Sequence, residues 1–295
     1  MKKKLLITGS SGFVGNLFLK SALKNGYYIV DVLRDKNRKN KDLNKLRKIY
    51  PKSYKSIFYK KYKDINKKLK NKKFDSFINF ATLYKNSHFN NEIQSFINSN
   101  IVFPSIILDT TAMNVKKIIN LGTMMQHIDG KNYTPQNFYA STKSAFEMIC
   151  NYFIKKNKHL KFYNLKFYES YSELDKRKKL IPTLHKNFKR NKTTRIISRY
   201  LELNIIHTDD LIESIYFLLK RNIKSGNYCL KNRKNIKISQ LINSINNKLP
   251  IPLKVKFLGN RSIKPNKSFL KSLPKWKADI TMQKRIEKFF YNETN

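Results

Sequence analysis

Residues 4–15 read K-L-L-I-T-G-S-S-G-F-V-G, and this stretch decides the fold class. Its apolar start predicts a buried strand over Lys4–Thr8, its glycines predict a tight turn, and the amphipathic pattern beyond predicts a helix to about Asn25. Glycines three residues apart let the backbone approach a pyrophosphate, which the free N–H groups and the dipole of a helix N-terminus can hold. A tight turn without a ligand is the alternative. The residues expected to form this dinucleotide-binding turn are Gly9, Ser11, Gly12, Phe13, Val14 and Gly15.

Further strands and helices alternate along the chain as far as Lys156. Short apolar runs predict strands, and apolar residues that recur every three or four positions predict helices. Such alternation is typical of a parallel sheet that is covered by helices on both faces. We therefore predict an α/β fold with a Rossmann-like, doubly wound parallel sheet. The further strands are expected at residues 27–33, 56–59, 74–82, 115–121 and 160–168, and the main helices at 91–112, interrupted by Pro104, and from Gln136 onward.

The second half of the chain is less regular and predicts a smaller C-terminal lobe. We expect a dinucleotide-binding domain over residues 1–168, to which residues 201–222 return as a strand and a helix. Residues 169–200 and 223–295 would then form a substrate-binding lobe. Its basic residues, among them Lys179, suit an anionic substrate.

The end of the second strand bears on the choice of cofactor. An acidic residue there would bind the two ribose hydroxyls of NAD, whereas Arg34 favours the 2′-phosphate of NADP. NADP is therefore the expected cofactor, and NAD is the alternative if Arg34 is only one more surface charge. Asp31 lies inside the strand and is the weaker candidate. The other residues expected at the cofactor are Asp64 and Ile65, in a loop that would border the adenine, and Ala81 and Thr82, at the end of the fourth strand.

The stretch 122–143 is where the sequence places the chemistry. Thr123 follows the strand 115–121 and so lies at its carboxyl end, the edge at which open α/β sheets bind ligands. Tyr139 and Lys143 are four residues apart in a helical pattern and share one face. A nearby ammonium would lower the phenol pKa from about 10 toward neutrality, which suits proton transfer to or from a carbonyl or alcohol. A chance spacing in a chain rich in Tyr and Lys is the alternative.

Composition limits the remaining classes of protein. The chain has 295 residues, 40% of them hydrophobic and 13% aromatic, which is enough for a sizeable core. Its net charge of +43 comes from lysines spread over the whole chain, which favours a compositional bias over a specific nucleic-acid-binding patch. No apolar run approaches about 18 residues, so we expect no membrane span. The chain has two cysteines, which predict no disulfide framework and fit a reducing cytoplasm. No metal site is predicted, because metal-ligand spacing is absent among His88, His127, His185 and His207.

These motifs resemble those of extended short-chain dehydrogenases/reductases of the NAD-dependent epimerase/dehydratase family. The resemblance covers nearly the whole chain, and the motifs follow one another in the family's order. They are T-G-S-S-G-F-V-G at 8–15, N-F-A-T at 79–82, Asn100, G-T at 122–123, Y-A-S-T-K at 139–143, H-T-D-D at 207–210 and L-P-K-W-K-A-D-I-T at 273–281. The resemblance implies an NAD(P)-dependent enzyme that acts on a nucleotide sugar, with Asn100, Tyr139 and Lys143 among the cofactor contacts.

Within that family, G-T-M-M-Q-H at 122–127 and the residues that follow are most similar to the CDP-abequose and CDP-paratose synthase-like reductases. The similarity implies reduction of the 4-keto group of a nucleotide-linked deoxysugar, as in polysaccharide biosynthesis. Tyr139 would be the general acid, Lys143 its partner and Thr123 a donor to the carbonyl. An epimerase with tightly bound NAD(P) is the alternative, and a non-catalytic nucleotide- or nucleic-acid-binding protein is a more remote one. The expected substrate contacts are Thr123, Met124, Gln126, His127, His88 and Lys179. The sequence does not decide between a monomer and a homodimer.

Two departures from the family pattern limit the resemblance. Dehydratases of the family usually carry an acidic pair directly after the threonine, where this chain has Met124 and Met125. Without those carboxylates, elimination of water is disfavoured. The stretch F-Y-E-S-Y-S at 167–172 lacks the Y-G-P motif that many members carry after the sixth strand, which leaves the loop facing the sugar nucleotide undefined.

Overall fold

This computed structural model describes residues 3–278 and 281–291. Seven of its strands form one sheet, and the others pair in two-stranded sheets. The strands are β1 (Lys4–Thr8), β2 (Tyr28–Arg34), β3 (Tyr54–Tyr59), β4 (Phe74–Asn79), β5 (Val115–Leu121), β6 (Lys161–Lys166), β7 (Glu169–Tyr171), β8 (Thr194–Ile196), β9 (Glu202–Leu203), β10 (Ile205–His207), β11 (Gly226–Cys229), β12 (Ile236–Lys237) and β13 (Val255–Phe257). The sheet order is β11-β6-β5-β4-β1-β2-β3, and the pairs β1–β2, β1–β4, β2–β3, β4–β5 and β5–β6 are parallel. The order reverses between β1 and β4, which is where open α/β sheets bind ligands. The predicted fold class is confirmed.

Helices alternate with the strands of this sheet, and further helices follow later in the chain. They are α1 (Phe13–Lys24), α2 (Lys41–Ile49), α3 (Lys63–Leu69), α4 (Ile93–Ile97), α5 (Phe103–Thr111), α6 (Phe138–Lys156), α7 (Leu180–Lys189), α8 (Thr208–Lys220), α9 (Ile238–Asn246) and α10 (Met282–Tyr291). Apolar side chains of the strands and helices form one buried cluster that includes Leu6, Phe77, Ile107, Ile118 and Phe146. Burial on both faces explains why these strands read as nearly continuous apolar runs.

The chain forms two compact units. The first comprises Met1–Lys166 and Leu218–Tyr228, and the second comprises Phe167–Phe217 and Cys229–Asn295. Residues 201–217 thus differ from the expected assignment, because they belong to the second unit. Their side chains Leu203 and Ile205 pack in an apolar cluster with residues of α9 and α10. Asp279 and Ile280 of the C-terminal motif lie outside the described residues.

One local expectation is wrong. Asp64 and Ile65 do not lie in a loop but in the first turn of α3. The Asp64 carboxylate accepts the N–H groups of Lys60 and Lys61, each at 3.0 Å, while Ile65 is fully buried in the core.

The helical stretch before β5 is interrupted next to Pro104, in agreement with the sequence. A π-helical segment, Asn98–Val102, precedes α5. Pro104 has no N–H to donate to the carbonyl of residue 100, which favours the wider turn there.

A line of side-chain hydrogen bonds crosses the sheet near the carboxyl ends of its strands. The Thr8 hydroxyl donates to Asn79 at 2.7 Å, Asn79 to Asn120 at 3.0 Å, Asn120 to Asn164 at 2.9 Å, and Asn164 to Asn227 at 2.9 Å. The first four are buried and are direct neighbours in the strand register. We call this line the amide ladder. A register slip would leave buried amides unpaired, so the ladder locks the alignment of β1, β4, β5 and β6.

We expect Asn120→Ala to lower the free energy of unfolding substantially, because it leaves polar groups of Asn79 and Asn164 buried without partners. Each such group costs about 1–3 kcal/mol, so the expected loss is roughly 2–5 kcal/mol in urea unfolding. Asn151→Ala, at an exposed position of α6, is the matched control and should change stability by less than about 0.5 kcal/mol. Equal effects of the two substitutions would contradict a structural role for the ladder.

Candidate active site

The glycine turn after β1 has the shape that the sequence predicts. Gly9 has a φ of +76°, and a Cβ there would lie 2.5 Å from backbone atoms of Phe80 and Ala81. A Cβ on Gly15 would lie 2.3 Å from the Gly9 carbonyl oxygen, so α1 can pack this closely on the turn only with glycine. Gly12 precedes the helix, and among the described residues no side chain caps its start. The N–H groups at this helix start are suited to hold a phosphate.

A buried carboxyl group fastens the turn to the sheet. The Ser10 hydroxyl donates to Asp31 Oδ2, and the Tyr54 hydroxyl donates to the same oxygen at 2.9 Å. Within the described residues Asp31 Oδ1 has no hydrogen-bond partner. Burial raises the pKa of Asp31 to about 7, against the opposing hydrogen bonds. Asp31 therefore faces the protein interior and anchors the turn.

Arg34 lies at the carboxyl end of β2, and its side chain is directed toward the π-helical segment. The guanidinium donates to Ser99 Oγ at 3.1 Å and is hydrogen-bonded to the Tyr59 hydroxyl. Arg34 is exposed, and a guanidinium carries five N–H donors. It can therefore reach an anion at this edge of the sheet.

Asn100, in the π-helical segment, ties the loop after β4 to α6. Its side-chain oxygen accepts from the Leu83 N–H at 2.7 Å and the Thr82 hydroxyl at 3.3 Å. Its amide donates to the Leu83 carbonyl at 3.0 Å and to Thr142 Oγ1 at 2.9 Å. All the polar atoms of this side chain are used inside the protein, so Asn100 acts on the site by holding Thr82 in place.

Tyr139 and Lys143 both lie on the buried face of α6, as the spacing predicts. The Thr82 hydroxyl is hydrogen-bonded to the phenol, and the Tyr84 ring packs edge-on against the Tyr139 ring with centroids 4.9 Å apart. The expected lowering of the phenol pKa is wrong for this structure, because burial raises the pKa of Tyr139 to about 12. Burial also lowers the pKa of Lys143 to about 8. The site therefore holds a protonated phenol beside a lysine whose charge is sensitive to its neighbours.

Thr123 follows β5 and starts a single turn of 3₁₀ helix, Met124–Gln126. The Thr123 hydroxyl accepts from the Met125 N–H at 3.2 Å, and the Thr123 N–H donates to Gln126 Oε1 at 3.0 Å. These reciprocal bonds form a capping box, which fixes the backbone of the turn. The Thr123 hydroxyl can still donate its own proton to a ligand.

A buried network lies behind this turn, and the sequence reasoning missed it. Glu147 and Lys166 are fully buried and form an ion pair at 2.8 Å. The Glu147 carboxylate also accepts from Gln126 Nε2 at 2.8 Å and from the Tyr133 hydroxyl. The Lys166 ammonium donates to His127 Nε2 at 2.7 Å. The spacing Y-x-x-x-K-x-x-x-E at 139–147 was an available signal for Glu147, but none marked Lys166 in so lysine-rich a chain.

His127 is neutral in this network. A lysine ammonium can only donate, so Nε2 must be the acceptor, and the Nδ1 proton then goes to the Asn132 carbonyl at 2.7 Å. Burial and the nearby Lys166 charge lower the pKa of His127, which agrees with that state. Gln126 and His127, expected as substrate contacts, thus use their side chains to support the turn.

The other expected substrate contacts have different surroundings. Met124 is buried beneath the turn, and the His88 ring stacks on Phe138, with ring centroids 4.5 Å apart. Lys179 belongs to the second unit, where it pairs with Glu169 at 3.3 Å. Their contact with a substrate stays a prediction.

Comparisons with known proteins agree with these motifs. The model of the NAD dependent epimerase/dehydratase family matches residues 5–230. The chain is 23% identical over 300 residues to CDP-abequose synthase of Salmonella muenchen, covering 98% of this chain and 97% of that protein. It is 24% identical over 227 residues to CDP-abequose synthase of Yersinia pseudotuberculosis, covering 76% and 75%. The structure of UDP-glucuronic acid 4-epimerase from Bacillus cereus in complex with NAD is 17% identical, with a TM-score of 0.76 over 99% of both chains, and shows the shared fold.

In residues 3–278 and 281–291, no three His, Cys, Asp or Glu side chains lie together as metal ligands would. None of the helices there combines the length and apolar character needed to cross a bilayer.

Asp31→Asn should change how stability depends on pH. The folded pKa of Asp31, about 7, lies above its ordinary value of 3.8, so its proton stabilises the fold below about pH 4 and this stabilisation is lost as the pH rises through 7. Asparagine resembles the protonated form, so we expect the variant to exceed the wild type by a few kcal/mol at pH 8 and to match it near pH 4. Urea unfolding across this range measures the difference. Asp109→Asn, exposed on α5, should follow the wild type at every pH. If Asp31→Asn also followed the wild type, burial would not raise the pKa of Asp31 in the folded protein.

Proposed function

The chain belongs to the NAD-dependent epimerase/dehydratase family, and from this membership we propose that it reduces the 4-keto group of a nucleotide-linked deoxysugar with NADPH. Similarity to two curated CDP-abequose synthases along most of the chain supports this choice within the family. Met124 and Met125, in place of an acidic pair, argue against dehydration.

The observation that carries the proposal is the arrangement around Tyr139. Its phenol lies on the buried face of α6, one helical turn from Lys143, and is hydrogen-bonded to Thr82. Reduction of a ketone needs a positioned donor of this kind, because the carbonyl oxygen must receive a proton as hydride reaches the carbon. An epimerase would start by removing a proton from the 4-hydroxyl, and burial, which raises the pKa of Tyr139, disfavours the phenolate that this step requires.

Three side chains have roles in this proposal. Tyr139 gives its proton to the 4-oxygen of the sugar, and the Thr123 hydroxyl donates a hydrogen bond to the same oxygen. Lys143, when charged, stabilises the phenolate that remains and binds the cofactor ribose. The nicotinamide, when bound, supplies the hydride.

The cofactor fits the residues that surround the glycine turn. Only glycine at Gly9 and Gly15 keeps the turn this tight, because a Cβ there would collide with the backbone of Phe80, Ala81 or Gly9. The start of α1 supplies N–H groups that suit a pyrophosphate. Arg34 would pair with the 2′-phosphate of NADP. Asp31 is not available to hold an NAD ribose, because Ser10 and Tyr54 occupy it inside the protein.

One screen decides between reductase and epimerase. Purified protein is incubated with 4-keto CDP-, dTDP-, GDP- and UDP-deoxysugars and NADPH, and the loss of nicotinamide absorbance is followed. The corresponding 4-hydroxyl sugars are incubated in parallel without added NADPH. A reductase consumes one NADPH for each sugar reduced. An epimerase with tightly held cofactor would consume none and would instead invert C4 of a hydroxyl sugar, which NMR detects. The second outcome would reverse the proposal.

Tyr139→Phe should lower turnover by about 10²- to 10⁴-fold on the sugar that the screen selects, because a positioned acid contributes about that much. NADPH affinity should stay within about twofold, since the ring and its packing are kept. Tyr152→Phe removes an exposed phenol from the same helix and should leave both quantities unchanged. Turnover of Tyr139→Phe above half of the wild-type value would exclude Tyr139 as the acid.

NADPH should bind more tightly than NADH, and Arg34→Ala should narrow the difference. A hydrogen bond to a charged group is worth about 1.5–3 kcal/mol, and less where water screens it, so we expect roughly a tenfold loss of NADPH affinity or more. NADH affinity should hardly change. Arg233→Ala, exposed in the second unit, removes the same charge elsewhere. Nicotinamide fluorescence titration measures the six affinities of these three proteins for NADPH and NADH. Equal affinities of the wild type for the two cofactors would contradict the assignment to NADP.

A further inference from the structure

The buried face of α6 continues beyond the tyrosine and lysine. Tyr139, Lys143 and Glu147 follow one another at intervals of four residues, so they form one stripe along the helix. Glu147 is fully buried, as is its partner Lys166 on β6. A buried ion pair contributes little net stability by itself, because both charges lose their hydration. Its presence beside the candidate active site calls for another reason.

We propose that Glu147 is a positioning residue for the chemistry at Tyr139: its carboxylate holds the Thr123 turn in place through Gln126 and is the buried anion one helical turn from Lys143. The inference rests on the proposed function, in which Lys143 acts as a cation. It adds to that function a residue that touches neither sugar nor cofactor.

The first half of the proposal follows from two consecutive hydrogen bonds. Gln126 Nε2 donates to Glu147 Oε2 at 2.8 Å, and Gln126 Oε1 accepts the Thr123 N–H at 3.0 Å. The carboxylate can bind only the NH₂ end of the amide, so it decides that the oxygen faces Thr123. Glu147 thereby orients the turn that carries the Thr123 hydroxyl.

The second half follows from charge. Burial disfavours the charged form of Lys143, and the two neighbours that oppose this effect are Cys150 and Glu147. Burial raises the pKa of the Cys150 thiol well above its usual range, so the thiol is neutral at working pH. Glu147 lies one helical turn from Lys143 on the same buried face of α6. It is then the neighbour that supplies negative charge to Lys143.

Polar and charged groups from other segments also surround Glu147. Lys166 approaches from β6, Tyr133 and Gln126 approach from the segment between β5 and α6, and His127 lies behind Lys166. His127 is neutral. Lys166→Gln therefore breaks the same ion pair without removing the anion beside Lys143, and it is the matched control.

The test compares wild type, Glu147→Gln and Lys166→Gln by two measurements. The first is the pH at which turnover falls on the alkaline side. It should move down by about one pH unit in Glu147→Gln, because Lys143 loses its proton more easily, and it should not move down in Lys166→Gln. The second is hydrogen exchange of the backbone at residues 122–127, which should become about tenfold faster in Glu147→Gln and change much less in Lys166→Gln.

Both single variants should unfold at a lower temperature, since each leaves one buried charge without its partner. The double variant Glu147→Gln/Lys166→Gln restores neutrality and should regain stability while keeping the lowered alkaline limit. If Glu147→Gln does not fold, both measurements are made on the double variant instead. If Glu147 had only a structural role, the double variant would regain the wild-type alkaline limit of turnover together with the wild-type stability. That result would overturn the proposal.

The two measurements also separate this inference from the proposed function. If no 4-keto sugar is reduced by the wild type, the proposed function fails, and the exchange of residues 122–127 still decides whether Glu147 holds the turn. If the wild type is active but neither the alkaline limit nor the exchange responds to Glu147→Gln, the inference fails alone.

Discussion

The first unit depends on one line of hydrogen bonds, which begins with the amide ladder and ends at the Glu147 carboxylate. Beyond Asn227 the line continues, because Asn227 is hydrogen-bonded to the Tyr133 hydroxyl and Tyr133 donates to Glu147. From Thr8 onward each group therefore donates in the same direction, toward a negative charge, and aligned hydrogen bonds strengthen one another. Thr8 adjoins the glycine turn and Glu147 lies on α6. One polar line thus connects the two halves of the candidate site.

Burial has one common effect on the titratable groups of this site. It raises the pKa of Asp31 and of Tyr139 and lowers the pKa of Lys143, so each group is moved toward its neutral form. The neutral phenol suits proton donation. Lys143 is the sensitive member, because its pKa lies close to working pH and any anion beside it restores the charge. Glu147 does so from within the protein, and an anionic dinucleotide would add to that effect.

The second unit has a polar anchor of its own, built from the H-T-D-D motif. His207 contacts Glu173 at 2.9 Å and Arg285 at 2.6 Å, and Arg285 also contacts Asp210 at 3.4 Å. Burial alone would lower the pKa of His207, but hydrogen bonds to Asp209 and Glu173 raise it. These bonds hold the start of α8 to β7 and α10 inside that unit. The motif therefore has a structural explanation that requires no ligand.

The sequence by itself determined the sheet, the glycine turn and the face that carries Tyr139 and Lys143, because these depend on short-range periodicity and on residues a few positions apart. It could not show Lys166 opposite Glu147, Asp31 beneath Ser10, or the alignment of Asn79, Asn120 and Asn164, because each contact joins residues that are distant along the chain. It also gave the wrong direction for the pKa of Tyr139. Charge spacing can be read from the order of residues, whereas desolvation depends on burial, and only the tertiary structure decides which side chains lose contact with water.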